Sequence, residues 1–349
     1  MGYKISVLVP VYGVENYIER CARSLFEQTY PDLEYVFVND CTRDKSIAVL
    51  MAVAKDYPTR ESMVRIVNHD KNRGIAGARN TGLSHATGEF VCIVDSDDWL
   101  ETNALELLAR QQQVRDADIV SGNRLIHNRW ENMLVKELRY NNKEEMTLQM
   151  MRRSRDHYIT GRLFRRSLFV DNNLQWNEGL DMAEDRFMMT LLAYHAKTFD
   201  VVDAVVYHYD QRNTGSITGN RNAQRHFKNS DQHIGNYLAL KRFFEDKEEV
   251  YQKGCALCLL VQLKYNVRKA LEFASRKEFN KYIGIIDAHQ NEVLKSIDWQ
   301  KNGIKGWGLH SYAWMRLVFL EETGIRFVSK RLRWLFSLAT HGKKAEVIG

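Results

Sequence analysis

Residues 5–11 read ISVLVPV, a run that is almost continuously apolar and rich in β-branched side chains. Such a run fits a strand covered on both faces of a parallel sheet, because a strand with one solvated face would alternate. Outward from it, Tyr17, Ile18, Cys21, Ala22, Leu25 and Phe26 recur at helical spacing, and a second strand runs from Leu33 to Val38. The alternation then repeats. A helix is predicted over Ile47 to Ala54, a strand at Val64 to Val67, a helix from about Gly77 to His85 and a strand at Phe90 to Val94. A helix over Ala104 to Gln111 and a strand at Asp118 to Ser121 come next. Strands alternating with helices imply crossover connections, a parallel sheet and a ligand crevice at the carboxyl ends of the strands.

After about residue 123 the alternation breaks, and Arg124 to Arg155 is polar and basic with no clean period, read as an acceptor-side insertion. A helix over Ala183 to Ala196 and a strand over Phe199 to Tyr209 succeed it, and beyond about Arg225 only helical patterns remain. The expected organisation is a first domain over 1–222, divided into halves at 1–123 and 124–222, with a helical region over 223–349.

The 349 residues leave room for about two units, and 44% hydrophobic with 27% charged residues excludes collagen-like and disordered classes. A net charge of +6 favours anionic partners in general. Five cysteines form no even framework, which points to reduced thiols, and Cys255-Ala-Leu-Cys258, inside an apolar run, reads as helix core rather than as a metal or redox pair. The amino terminus enters a strand at once with no secretory pattern, and the match of Met1-Gly2 and Ser6 to a myristoylation signal is set aside as chance. No stretch approaches a membrane span. Dispersed basic residues without a zinc-finger, KH or RRM signature argue against nucleic acid.

The predicted strand ends carry the chemistry. Strand one ends Pro10-Val11-Tyr12, strand two ends Asn39-Asp40-Cys41-Thr42, and the strand at Phe90 runs into Asp95-Ser96-Asp97-Asp98. Three aspartates within four residues repel one another unless a cation sits among them, and oxygen-only ligands suit magnesium or manganese. Asp98 is read as the cap of the following helix. Asn72 to Gly82 places glycines where a loop bends and Arg79 in the first turns of a helix, where an anion would meet both the dipole and a guanidinium. Its spacing is neither G-x-G-x-x-G nor the Walker pattern, so hydride transfer and ATP hydrolysis drop out.

Taken in order, ISVLVPVY, VFVNDCTRD, NRGIAGARNTGL, FVCIVDSDDW and MAEDRF resemble the nucleotide-sugar glycosyltransferases of family 2 over roughly residues 3 to 220. That resemblance implies the GT-A fold, an α/β architecture with a Rossmann-like, mainly parallel nucleotide-binding sheet, here followed by the helical region. It also implies inverting, metal-dependent transfer of a hexose or N-acetylhexosamine from a UDP-sugar. By the same resemblance Pro10 and Tyr12 pack on the nucleobase, Asp40 hydrogen-bonds the uracil imide, and Arg79 reaches the nucleotide. Asp95 and Asp97 match the DxD carboxylates that touch the ribose and hold Mn2+ or Mg2+, and Asp185, beside Glu184, matches the general base. Glu184 and Asp185 point about 100° apart on a helix, so one is read as base and the other as structural. Downstream, Arg212 is expected to close over the diphosphate and Ser216 to donate to it. His208 is either a third metal ligand or a buried structural histidine.

Two departures from the family pattern stand out. Cys41 occupies a glycine position, without glycine's freedom at positive φ, and Gly161-Arg162 stands where relatives often carry bulkier residues. A sugar-nucleotide pyrophosphorylase is set aside for want of its glycine-rich loop after strand one. A catalytically inactive GT-A module serving as a binding or scaffolding subunit is the rival, and the intact Asp95, Asp97 and Asp185 argue against it. The acceptor is expected to be a glycan or lipid-linked glycan of polysaccharide assembly. From Ile325 to Lys344 the chain combines six Lys and Arg residues with Phe327, Leu332, Trp334, Leu335 and Phe336, and carries no acidic residue. With Trp307, Tyr312, Trp314 and Phe319 upstream, this predicts contact with an anionic membrane surface, hence a cytoplasmic enzyme peripheral on the inner face of the membrane.

Overall fold

In the computed structural model of the chain, residues 2–152, 157–213, 223–273 and 275–296 are described. The run at 5–11 forms β1 (Ile5–Val11), buried except at Pro10. It is followed by α1 (Ile18–Phe26), β2 (Leu33–Asn39), α2 (Ser46–Lys55), α3 (Pro58–Glu61), β3 (Val64–Asn68), α4 (Gly74–His85) and β4 (Phe90–Ile93). Then come β5 (Trp99–Leu100), α5 (Ala104–Arg115), β6 (Ile119–His127), β7 (Asn132–Val135), α6 (Lys143–Met151), β8 (Leu163–Arg165) and α7 (Ser167–Val170). The described part closes with α8 (Glu184–His195), β9 (Phe199–Asp210), α9 (Ala223–Phe243), α10 (Glu249–Glu272) and α11 (Arg276–Ser296).

Among the described residues nine strands form one sheet in the order β3-β2-β1-β4-β8-β6-β9-β5, with β7 paired to β6. The four strands from β3 to β4 are parallel, β8 is antiparallel to both β4 and β6, and β9 is parallel to β6. The strand ends β1, β2, β4, β6 and β9 therefore open on the same edge of the sheet. Successive β1 and β2 side chains bury on opposite faces. Val7, Val9, Tyr35 and Phe37 meet α1, α2 and α5 in one core, and Leu8, Val36 and Val38 meet α4 and α8 in the other. Both faces are covered, as the unbroken apolar run predicts.

Pro10 shows where the sheet splits. The Leu8 carbonyl accepts from Val94 N–H, so the backbone of residue 10, on the same side of the strand, also faces β4; the β1–β4 register ends at Leu8–Ile93. The proline's missing N–H costs no ladder bond there, and the gap between β1 and β4 begins at that point.

Beyond residue 123 the structure replaces the featureless reading with definite elements. β6 runs on to His127, turns into β7, and is followed by α6. Its period was hidden by polar residues used as core. Arg124 donates to Thr160 Oγ1 and carbonyl, and Arg162 donates to Ser121 and to both Glu137 oxygens. α9, α10 and α11 pack against α6 and α8 in the core that holds Met188, Tyr237, Cys255 and Tyr282. Cys255 and Cys258 are buried in α10, as the helix-core reading expects, and burial raises both thiols. Ser216 and the basic segment at 325–344, with its upstream aromatics, lie outside the described residues.

Candidate active site

The loops after β1 and β2 are clasped together before they meet any ligand. Gly13 N–H donates to Thr42 Oγ1 (2.9 Å), Val14 N–H to Ser46 Oγ (3.1 Å) and Glu15 N–H to Asp44 (3.0 Å). Cys41 sits between them at φ +59°, the left-handed conformation that its glycine-like position requires. The clasp leaves Tyr12 54% exposed beside Pro10, an open aromatic platform.

Asp40 is buried and heavily used. Its oxygens accept from Arg73 N–H (2.7 Å), Gly74 N–H (2.9 Å) and His69 Nδ1 (2.7 Å), and the other nitrogen of that imidazole meets Thr81 Oγ1 at 2.8 Å. Asp181 takes the Ala76 N–H at 3.3 Å, and a Cβ on Gly74 (φ +75°) would lie 2.5 Å from the Asp181 oxygens. The positive end of α4 is therefore held by two of the protein's own carboxylates, which occupy the N–H groups that sequence reasoning reserved for an anion. A carboxylate offers about four lone-pair directions, and Asp40 uses three.

One turn and a half further along α4 lies Arg79, 1% exposed. Its Nη2 donates to Asp95 Oδ1 (3.1 Å), and its Nη1 donates to Asp185 Oδ1 (2.6 Å) and Glu184 Oε1 (3.2 Å). One cation thus ties the end of β4 to the start of α8. Sequence reasoning aimed this arginine at a nucleotide, whereas in the structure it lies between carboxylates. The two adjacent acids of α8, expected to point apart, reach the same nitrogen because they occupy the helix's first turn, just after Ala183 at φ +60°. Asp185 also accepts from Ile159 N–H at 3.3 Å. Burial, and next the charge of Asp185, push the Glu184 carboxyl well above the usual carboxylate range.

The three aspartates after β4 have different surroundings. Asp98, expected to cap a helix, instead accepts from Tyr207 O–H (2.6 Å) and Asp210 N–H (2.8 Å), and Asp95 N–H donates to the same tyrosine oxygen (3.2 Å). Asp98 leads directly into β5, so no helix start is there to be capped. Asp97 accepts from Asn213 at 2.9 Å, and burial together with the charges of Asp95 and Asp210 pushes its carboxyl up to about 6. Among the described residues no three His, Cys, Asp or Glu side chains gather into a metal cluster. Asp95, which shares Arg79 with Glu184 and Asp185, and Asp97, which accepts from the neutral Asn213, nevertheless suit a hard divalent ion of the magnesium type, which takes one or two carboxylates and completes its shell with water and substrate phosphate.

His208 has both ring nitrogens engaged, with Glu101 at 2.8 Å and His127 at 2.9 Å, and its ring lies parallel to Trp99 at 4.8 Å. This is the satisfied-histidine arrangement, with no lone pair left for a cation. Arg212 grips Asp210 through Nε (2.7 Å) and Nη2 (2.8 Å) and is half exposed at the rim. Arg20 of α1 joins the same carboxylate at 2.8 Å and lies 3.7 Å from the Trp99 ring centre. Although burial opposes it, hydrogen bonds from Arg212 and Arg20 hold the Asp210 carboxyl well below the usual range.

Sequence reasoning missed Arg20, Asp210, Tyr207, His69 and Asn213. Arg20 looks like any solvated helix residue, but Tyr207 and Asp210 had a signal: strand alternation in β9 puts Tyr207 and Tyr209 on one face and His208 and Asp210 on the other. Gly161 is explained by the same tyrosine. At φ +68° its Cα lies so close to Tyr207 that a Cβ would meet the ring at 2.5 Å.

A doubly covered sheet whose first strands end on nucleotide-type loops, with paired acids after β4 facing a second acidic pair on α8, defines a GT-A glycosyltransferase fold. Residues 6–171 match the model of glycosyl transferase family 2. An uncharacterized glycosyltransferase of Bacillus subtilis, EpsJ, is 32% identical over 227 residues, covering 61% of this chain and 62% of that protein. Glycosyltransferase GlyG of Streptococcus pneumoniae is 37% identical over 123 residues, 35% of this chain and 40% of that protein. The chain thus spans less than two thirds of the length of these curated relatives. Among solved structures, residues 1–349 of S. aureus TarS in complex with UDP-GlcNAc align with a TM-score of 0.65 at 20% identity, covering 95% of this chain and 92% of that one. The Pyrobaculum calidifontis mannosyltransferase PcManGT, in complex with GDP-Man and Mn2+, aligns at 0.51 with 17% identity, covering 93% and 89%. At these identities the structural likeness concerns the fold.

Proposed function

We propose that this chain moves a hexose or N-acetylhexosamine from a UDP-sugar to a hydroxyl of a glycan or lipid-linked glycan, with inversion, in polysaccharide assembly. The observation that carries the reading is Arg79, whose two terminal nitrogens join Asp95 on one side to Glu184 and Asp185 on the other. An acid at the diphosphate and an acid at the acceptor are what a single displacement needs. The acceptor oxygen bonds to the anomeric carbon as the bond to the diphosphate breaks, and the acceptor proton passes to a carboxylate on the opposite face, which gives inversion. Asp185 is the proposed base, with Glu184 beside it.

Pro10 and Tyr12 would carry the nucleobase, and the remaining lone pair of Asp40 would receive its imide N–H. Asp97 with Asp95 would hold manganese or magnesium, which when bound supplies positive charge to the departing diphosphate. Arg212 at the rim, with Ser216, would cover that diphosphate. The UDP-GlcNAc complex of TarS and the Mn2+ complex of PcManGT are properties of those proteins, and they support the choice of donor and ion made here. No helix of the described residues is long and apolar enough to cross a membrane, and the basic segment at 325–344 would instead bring the enzyme to the inner face of the cell membrane. UDP release over a panel of nucleotide sugars, with manganese and with EDTA, tests the reading; full activity in EDTA would remove the metal from it. Co-sedimentation with liposomes of the full chain and of a version ending before Ile325 tests the surface contact, which equal partitioning would exclude.

A further inference from the structure

β6 and β9 run in the same direction as β4, so their carboxyl ends open on the edge that carries Asp95 and Asp97. His127, the last residue of β6, is bonded across that edge: Gln211 N–H donates to its carbonyl at 2.9 Å, and two residues on, Asn213 reaches Asp97 at 2.9 Å. From His127 the chain turns back into β7 through residues 128–131. The turn is closed by its own bonds. Asn128 Oδ1 accepts from Trp130 N–H (2.8 Å) and Glu131 N–H (2.9 Å), and Asn128 N–H donates to the Glu131 carbonyl (3.3 Å). Beneath it, the rings of His127 and His208 stack on Trp99 at 4.6 and 4.8 Å.

At the tip of this built turn Trp130 is 93% exposed. Folding gives no reason for that, since an indole is among the largest apolar side chains and gains most from burial. Its immediate chain neighbours are polar: Arg129, Glu131 and Asn132 are exposed beside it, each with hydrogen-bonding groups, and the half-exposed Leu134 of the same hairpin lies four residues on in β7. A membrane or a protein partner would call for continuous apolar surface. A pyranose offers a small C–H face rimmed by hydroxyls, the complement of an indole rimmed by polar side chains.

We infer that Trp130 is an acceptor subsite, its indole stacking on the C–H face of a pyranose a few units removed from the reacting hydroxyl, with Arg129, Glu131 and Asn132 at the ring hydroxyls. The inference rests on the glycosyltransferase reading. The nucleobase end of the proposed donor site lies at β1 and β2, and the β6–β9 end lies on the far side of Asp97, where an acceptor would enter. Along the bonded path from Trp130 through His127, Gln211 and Asn213 to Asp97 the backbone span is at most roughly 30 Å, taking about 3.3 Å per residue, about 5 Å for the ladder rung and about 8 Å for the side-chain pair.

The test uses the full chain, wild type, Trp130→Ala and Trp130→Phe, with cellotetraose, chitotetraose and maltotetraose as probes at saturating UDP, read by saturation-transfer NMR and calorimetry. At least one probe is expected to bind the wild type, to weaken about tenfold or more in Trp130→Ala, and to be largely retained by Trp130→Phe. UDP titrated alone into the wild type reports on the underlying reading, which fails if no UDP binds with or without manganese. If UDP binds but no probe separates Trp130→Ala from wild type, the subsite is overturned while the donor reading stands. The subsite is likewise overturned if Trp130→Ala changes only the partitioning onto phosphatidylglycerol vesicles.

Discussion

Replacing Arg79 by methionine keeps most of the side-chain volume and removes the one charge shared by Asp95, Glu184 and Asp185. All three acids are less than one third exposed, and the guanidinium is fully buried. Removing one partner of a buried ion pair costs about 3–5 kcal/mol because the survivors stay buried without compensation. Here three survivors share the loss, so at pH 8 we expect the variant to lose at least about 3 kcal/mol, a large part of a typical total of about 5–15 kcal/mol. The pH dependence is set by the sign of the shifts. Without Arg79 the Glu184 carboxyl, already raised by burial and by the charge of Asp185, loses a lowering positive charge and titrates higher still, so in this range the folded protein binds more protons than the unfolded chain. Stability then falls as pH rises, and the deficit of the variant relative to wild type is expected to shrink between pH 8 and pH 5.5. Urea unfolding at both values measures this, and Arg79→Met combined with Glu184→Gln and Asp185→Asn should recover stability without activity. A deficit below about 1 kcal/mol, or one identical at both pH values, would refute the idea that Arg79 is the counter-charge of the site.

Asp185→Asn should lower transfer by about 10²–10⁴-fold while UDP binding, by calorimetry, stays close to wild type; full turnover would move the base to Glu184. Gly161→Ala should cost about 3 kcal/mol or more in urea unfolding, because the new methyl meets the Tyr207 ring at 2.5 Å and the backbone is left-handed there. Asp210→Asn removes the negative charge and one of the two acceptor oxygens that hold Arg20 and Arg212, and should cost about 2–3 kcal/mol at pH 7. Since the folded-state carboxyl titrates low, that contribution is present above the unfolded value of about 3.9 and is lost as pH falls below it, so acid titrations of variant and wild type should converge.

How far the sequence could be read depended on what each residue had to satisfy. β1, β2 and α1 were legible because burial on both faces, or on one helical stripe, leaves a period that survives in any apolar sequence. Cys41, read as a departure for want of glycine's freedom, nevertheless takes the left-handed conformation at φ +59°. β6 beyond Ser121 was not legible. Its inward positions include Arg124, which lies between the rings of Tyr158 and Tyr207 at 4.4 and 4.6 Å and donates to Thr160, so the strand's interior is written in the polar alphabet.

The candidate site shows the same division more sharply. Clustering singles out the acids after β4, because three aspartates in four residues repel one another. Which partner each acid holds could not be read, because the partners come from far along the chain: Arg79 to Asp185 spans 106 positions, Tyr207 to Asp98 spans 109 and Asn213 to Asp97 spans 116. Those distances explain why Asp98 was taken for a cap and Arg79 for a ligand contact. Local spacing can propose only local partners, and a carboxylate at a strand end is paired by whatever the sheet order brings alongside. β9 lies beside β5 and β6 although it comes last of the nine strands, so the residues that fix Asp97 and Asp98 in place belong to the segment whose own pattern says only that it is a strand.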